Sequence, residues 1–131
     1  MMFEKENIWI LINKTMNNKI VEQQKAICKK FNVEWFESLP TLKVGISKNV
    51  REGVEPINGL RHSPEGDTTG WYIWAGQEML DDPGFFVPVH VEHLGDWCPQ
   101  ALAYLGLPPG TRFLIAKTQE DVWEDKSLLD I

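Results

Sequence analysis

The chain has 131 residues, 43% of them hydrophobic and 24% charged, with a formal net charge of −6. A chain of this size buries about two thirds of its unfolded surface, so a single core needs neither staples nor metal, and the ordinary composition argues against long disorder. The charge is uneven: residues 1–65 hold ten Lys/Arg and eight Asp/Glu, whereas residues 66–131 hold three and eleven. An acidic half repels phosphate backbones and attracts basic partners, which argues against DNA or RNA as the ligand.

At the N-terminus, the apolar run Ile8–Ile12 is only five residues long and follows Glu4 and Glu6. A secretory signal needs a longer apolar region and a basic start, and no stretch approaches the roughly 18 apolar residues of a membrane span. The expected location is the cytoplasm. Residues Asn7–Asn13 predict a short buried strand. Asn18–Phe31 predicts a helix with Ile20, Ile27 and Phe31 near one stripe, widened by Val21 and Cys28. Cys28 therefore reads as a core residue. With Cys98 as the only other cysteine, the pair suits a reducing compartment.

After the break at Ser38-Leu39-Pro40, Leu42, Val44 and Ile46 alternate with Lys43, Gly45 and Ser47, the pattern of a strand with one buried face. Asn49–Thr69 is polar and rich in Gly and Pro, and reads as a long loop with a turn at Asn58-Gly59. Gly70–Gly76 predicts a strand with Trp71, Ile73 and Ala75 on one face and Tyr72 and Trp74 on the other. Such a strand is either covered on both sides or shows an aromatic face to a partner. Asp81-Asp82-Pro83-Gly84 is a turn. Phe85–Val91 follows as a strand whose Pro88 implies an edge position or a bulge. Asp96 is placed as the cap of a short helix with Pro99 in its first turn, stopped by Gly106. Thr111–Ala116 is a further strand, and the tail is acidic around Trp123.

The expected order is roughly β-α-β-β-β-α-β, an α+β fold with a mainly antiparallel sheet and two helices. One domain spans residues 1–131, with residues 1–40 as a strand–helix extension and 41–131 as its core.

Three constellations could carry chemistry. His90-Val91-Glu92-His93 with Cys98 offers zinc-type ligands, but the spacing matches no closed zinc site and fits histidines bonded locally at a strand end. Glu78, Asp81 and Asp82 could hold Mg²⁺ or act as acid and base, yet their closeness in sequence fits a solvated turn. No P-loop, dinucleotide fingerprint or nucleophile elbow occurs. The third is aromatic. Four of the six tryptophans, Trp71, Trp74, Trp97 and Trp123, lie in the acidic half. Tryptophan is favoured in binding hot spots because one side chain removes a large area from water; its other use is core packing. Trp123, flanked by Glu120, Asp121, Glu124 and Asp125, suits a cationic partner surface, or pins the tail to the core. The partner-binding candidates are Trp123, Glu120, Asp121, Glu124, Asp125, Trp74, Glu78, Asp81 and Asp82.

The ordered series Val44-Gly45, Gly70-Trp71, Ala75-Gly76-Gln77-Glu78, Cys98-Pro99, Tyr104-Leu105-Gly106-Leu107-Pro108-Pro109-Gly110, Arg112-Phe113, Val122-Trp123-Glu124-Asp125 and Leu128-Leu129 resembles a bacterial immunity-protein family, immunity protein thirty-three. The resemblance runs over residues 43–129 and leaves out the first forty. Where that family often has an acidic-Ser pair before its Gly-Trp, this chain has Asp67-Thr68-Thr69. The resemblance implies an α+β protein that neutralises a toxin of a polymorphic-toxin system by direct binding in the cytoplasm. It supplies no binding residues and names no toxin. The expected function is therefore non-catalytic binding of a basic toxin domain, with no cofactor. The alternatives are a protein-interaction or regulatory domain with another partner, or a small metal-dependent enzyme using His90, His93 and Glu78.

Overall fold

The computed structural model describes residues 18–80 and 82–130. The strand expected at 7–13 lies outside the described residues. Residues 18–30 form the helix α1. Its most buried side chains are Gln24 and Cys28, with Ile27 packed beside them. Gln24 is satisfied inside the protein: its amide donates to the Leu102 carbonyl at 3.0 Å and accepts from the Trp35 indole at 3.1 Å. The helix ends where Asn32 turns left-handed, at φ 57°, a conformation asparagine tolerates at a helix C-terminus.

Among the described residues six strands build one sheet: β1 (Lys43–Ser47), β2 (Ile57–Arg61), β3 (Thr68–Ala75), β4 (Phe86–His90), β5 (Thr111–Ala116) and β6 (Gln119–Glu124). Their order is β4-β1-β3-β2-β5-β6. The sheet is mixed rather than wholly antiparallel. β1 and β2 flank β3, β2 running against it and β1 alongside it. The remaining neighbours pair antiparallel. Pro88 lies in β4, an edge strand, as a residue without a ladder N–H requires.

The loop expected over 49–69 and the turn at Asn58-Gly59 give way to β2. Gly59 faces the core at mid-strand, and a Cβ there would sit 2.1 Å from the Phe113 ring. Glycine is used at this point to let an aromatic ring lie on the backbone, not to turn the chain. The acidic tail, expected without a strand, forms β6 in continuous register with β5. The second helix is replaced by two 3-10 turns, Val91–Asp96 and Pro99–Tyr104. Asp96 closes the first turn instead of capping the second; Cys98 stands at the cap position, with Pro99 next to it.

The cross-strand register assigns side chains to two faces. Val44, Ile46, Ile57, Trp71, Ile73, Phe113 and Ile115 form the core face. They pack with Cys28 from α1 and with Leu94, Cys98, Ala101, Leu105 and Leu107 from the two 3-10 turns and the residues that flank them. Burial raises the Cys28 thiol and pushes Cys98 up to about 11, so both stay protonated and act as small apolar residues.

Arg61 also lies on this face, fully buried. Its guanidinium donates to five carbonyls: Thr69 at 2.9 Å, Phe36 at 3.0 Å, Leu105 at 3.2 Å, Leu107 at 2.8 Å and Glu37 at 3.4 Å. The rings of Phe36 and Trp71 lie 4.9 and 5.4 Å from it. Burial lowers its pKa to about 10, which still leaves it charged at neutral pH. One side chain thereby ties the segment before β1 and the segment before β5 to the sheet. Beside it, Gly70 has φ +90°, and a Cβ there would meet the His62 carbonyl oxygen at 2.0 Å. That contact explains the glycine of the Gly70-Trp71 pair. The tryptophan is explained by its buried indole, which donates to the Leu105 carbonyl at 3.1 Å.

Candidate partner-binding surface

Apart from the short closing 3-10 turn Lys126–Leu129, no helix packs on the second sheet face among the described residues. Tyr72, Trp74, Asn58, Leu60, Arg112, Leu114, Asp121 and Trp123 share it by register. One cross-strand row reads Gly45, Tyr72, Leu60, Arg112, Trp123. Its two largest side chains stay in water: Tyr72 is 38% exposed and Trp123 43%. Gly45 leaves room for the Tyr72 ring, which a Cβ would approach to 2.8 Å. Tyr72 meets Phe86 edge-on at 5.2 Å and His62 at 5.6 Å. The strand β3 therefore has one buried face and one aromatic face reaching solvent.

Trp74 behaves differently from the anchor expected of it. It is only 7% exposed and forms a second small cluster with Leu60 and Leu128, against which Phe85 and Phe86 pack. The closing turn, Lys126–Leu129, folds Leu128 onto this face, and the Leu128 carbonyl meets Nδ1 of His62 at 2.9 Å. Trp74 is thus part of the floor. Its Nε1 is buried with no hydrogen-bond partner among the described residues.

The carboxylates of the tail divide by partner. Glu120 lies on the core side of β6, bonded to both the Lys30 ammonium and the Tyr104 hydroxyl. The hydrogen bond from Lys30, then that from Tyr104, holds its carboxyl below the usual range. Asp125 accepts from Arg112 Nε at 2.7 Å and caps the closing turn through Ser127 N at 3.2 Å. The hydrogen bonds from Ser127 and Arg112 hold its carboxyl low as well. Asp121 and Glu124 are exposed, Asp121 beside Gln119 and Glu124 3.8 Å from Lys126. Glu78 and Asp82 are exposed in the segment between β3 and β4, and Asp81 is outside the described residues. Three inter-strand steps of about 4.8 Å separate β6 from β3. The carboxylates of the two segments therefore come from different parts of the sheet.

The catalytic and metal readings gain little geometry. His90, Glu92 and His93 are exposed, while Cys98 is fully buried in the core. The imidazoles stand 6.4 Å apart. Among the described residues, no group of three or more His, Cys, Asp or Glu is arranged to hold a metal ion. A cleft of about 500 Å³ lies beside Gln100, Tyr104, Lys117 and Glu120. Burial, and then Glu120, pushes the Tyr104 phenol well up. It stays protonated as a donor to Glu120 and is not a general base at neutral pH.

Of the residues expected to meet a partner, Trp123 and Asp121 lie on this sheet face, which the sequence did not reveal because the tail read as strandless. Sequence reasoning overlooked Phe86, a residue of an apolar run with no charged neighbours to draw attention to it. Tyr72 was visible only as the second face of an aromatic strand.

Fold and surface define the class: a one-sheet α+β scaffold, packed on one face and showing aromatic side chains on the other. The Imm33-like domain family model matches residues 23–125, and the chain belongs to this family. The match begins inside α1 and so takes in most of the helix, upstream of the resemblance that starts at Lys43. Comparisons with curated proteins and with solved structures gave no match. No helix among the described residues is long and apolar enough to cross a membrane.

Proposed function

We propose that this protein is an immunity protein: it neutralises a bacterial polymorphic toxin in the cytoplasm by binding it, without catalysis. The contact surface is the β6 side of the aromatic face, with Trp123 as anchor and Asp121 and Asp125 beside it, while Glu124 and Glu120, on the other side of β6, add negative charge along the same edge. Glu78, Asp81 and Asp82 lie in a separate acidic segment that adds to the field felt by an approaching basic domain. Trp74 supports the surface from below.

The observation that carries this reading is the exposure of Trp123 on a strand where it has Arg112 opposite and carboxylates on both sides. A large indole left in water beside charges is costly to keep unless a partner covers it, and indoles in such settings dominate binding energy. Family membership supports a protein toxin as the partner. The acidic second half supports a basic one.

Co-expression tests it. Cells expressing a toxic domain encoded next to this gene in its native genome should grow when this chain is supplied and die without it, and a neighbourhood that encodes no toxic domain would count against the proposal. Cells that die equally with either the intact protein or an empty vector would refute the proposal.

A further inference from the structure

The two edges of the sheet are not equivalent. β4 carries Pro88 at its centre, which blocks pairing on that side. β6 lacks the proline block and is guarded only by negative charge: its six residues contain no proline or glycine but three carboxylates, and its register with β5 runs unbroken from Thr111↔Glu124 to Ala116↔Gln119. Among the described residues no strand lies beyond it. Every second residue of such a strand turns its N–H and C=O outward.

Its side chains decide what can use that edge. Lys30 and Arg112 already hold Glu120 and Asp125, leaving Asp121 and Glu124 facing solvent on opposite sides of the strand. A second copy of β6 would set carboxylates against carboxylates, which destabilises cross-strand pairs. An extended segment with Lys or Arg would set opposite charges together. Trp123, on the strand's open-face side, would cover a neighbouring apolar side chain of the incoming strand.

We propose that β6 takes a basic, extended segment of the partner protein as a seventh strand, so that backbone pairing supplies affinity and Asp121, Glu124 and Trp123 supply selection. This rests on the toxin-binding reading and specifies how the toxin is held.

Amide hydrogen exchange on the full chain, alone and with a short synthetic peptide of alternating lysine and valine, tests it. Alternate β6 amides should exchange fast in the free protein and at least about tenfold slower with saturating peptide. The acidic counterpart, alternating glutamate and valine, should leave them unchanged. The exposed-residue variant Asp121→Lys/Glu124→Lys should bind the basic peptide about tenfold more weakly, as loss of two favourable cross-strand pairs implies. Protection already complete in the free protein would mean the edge is occupied by its own chain and would overturn the proposal. So would absence of binding, or binding that protects other segments and not β6. Toxin neutralisation with β6 amides left unprotected in the complex would retain the immunity reading and remove only this one.

Discussion

Replacing Arg61 should be among the most damaging single changes in the protein. Of its five carbonyl partners, that of Leu105 keeps donors from Ser38 and Trp71. The carbonyls of Phe36, Leu107 and Thr69 lose a short, charge-assisted bond of 3.0 Å or less. At about 1 kcal/mol net for each hydrogen bond lost, these cost about 3 kcal/mol. The buried stem adds about 2 kcal/mol at roughly 0.8 kcal/mol per methylene. Arg61→Ala should therefore lose about 5 kcal/mol, a large part of the roughly 5–15 kcal/mol that holds a domain together. Arg61→Lys should recover less than half of this, because an ammonium cannot fork to carbonyls from three segments. Urea unfolding followed by far-UV circular dichroism reads both. A loss under about 1 kcal/mol for Arg61→Ala would refute the claim that this guanidinium organises the segments.

Three further outcomes are expected. Gly59→Ala should cost about 1–3 kcal/mol, because the new Cβ collides with the Phe113 ring; thermal melting checks it, and an unchanged midpoint would contradict the packing. Glu120 has a folded-state pKa below its unfolded one, so its pairing stabilises the protein at neutral pH and is lost as pH falls through the folded value. Glu120→Gln should flatten the acid limb of stability against pH, and Lys30→Met should shrink it by raising the folded-state pKa toward the unfolded one; urea midpoints across the acid range measure both. Association with the toxin should slow as salt is added, and a salt-independent on-rate in stopped flow would argue against steering by the acidic half.

Much of the fold could be read from residue pattern alone. The α1 helix, β1, β3, β4 and β5 each carry a periodicity that their burial enforces, and Pro88 marked its edge. The pattern failed where a local signal competed with packing. Asn58-Gly59 has the composition of a hairpin turn, but Phe113 on the neighbouring strand needs the space that glycine leaves. In β6, acidic residues hid the strand, since only Val122 packs against the core and the strand is held by pairing with β5. Arg61 gave no sign of burial, because four of the five carbonyls that bind it come from segments 24–46 residues away in sequence. The division of the tail carboxylates was also hidden: Lys30 and Arg112 select Glu120 and Asp125 through three-dimensional proximity. The burial of Trp74 depends on where Leu128 folds back, which no spacing rule encodes.

Titration calorimetry of the proposed toxin partner against Trp123→Ala reads whether a protein is held at the β6 side of the aromatic face. Removing this indole should weaken binding by about 2 kcal/mol or more while the unfolding midpoint shifts by no more than that of an exposed site, about 0.5 kcal/mol. Unaltered toxin affinity in a folded Trp123→Ala protein would contradict the account, as would an unfolded variant that shows the indole to be structural.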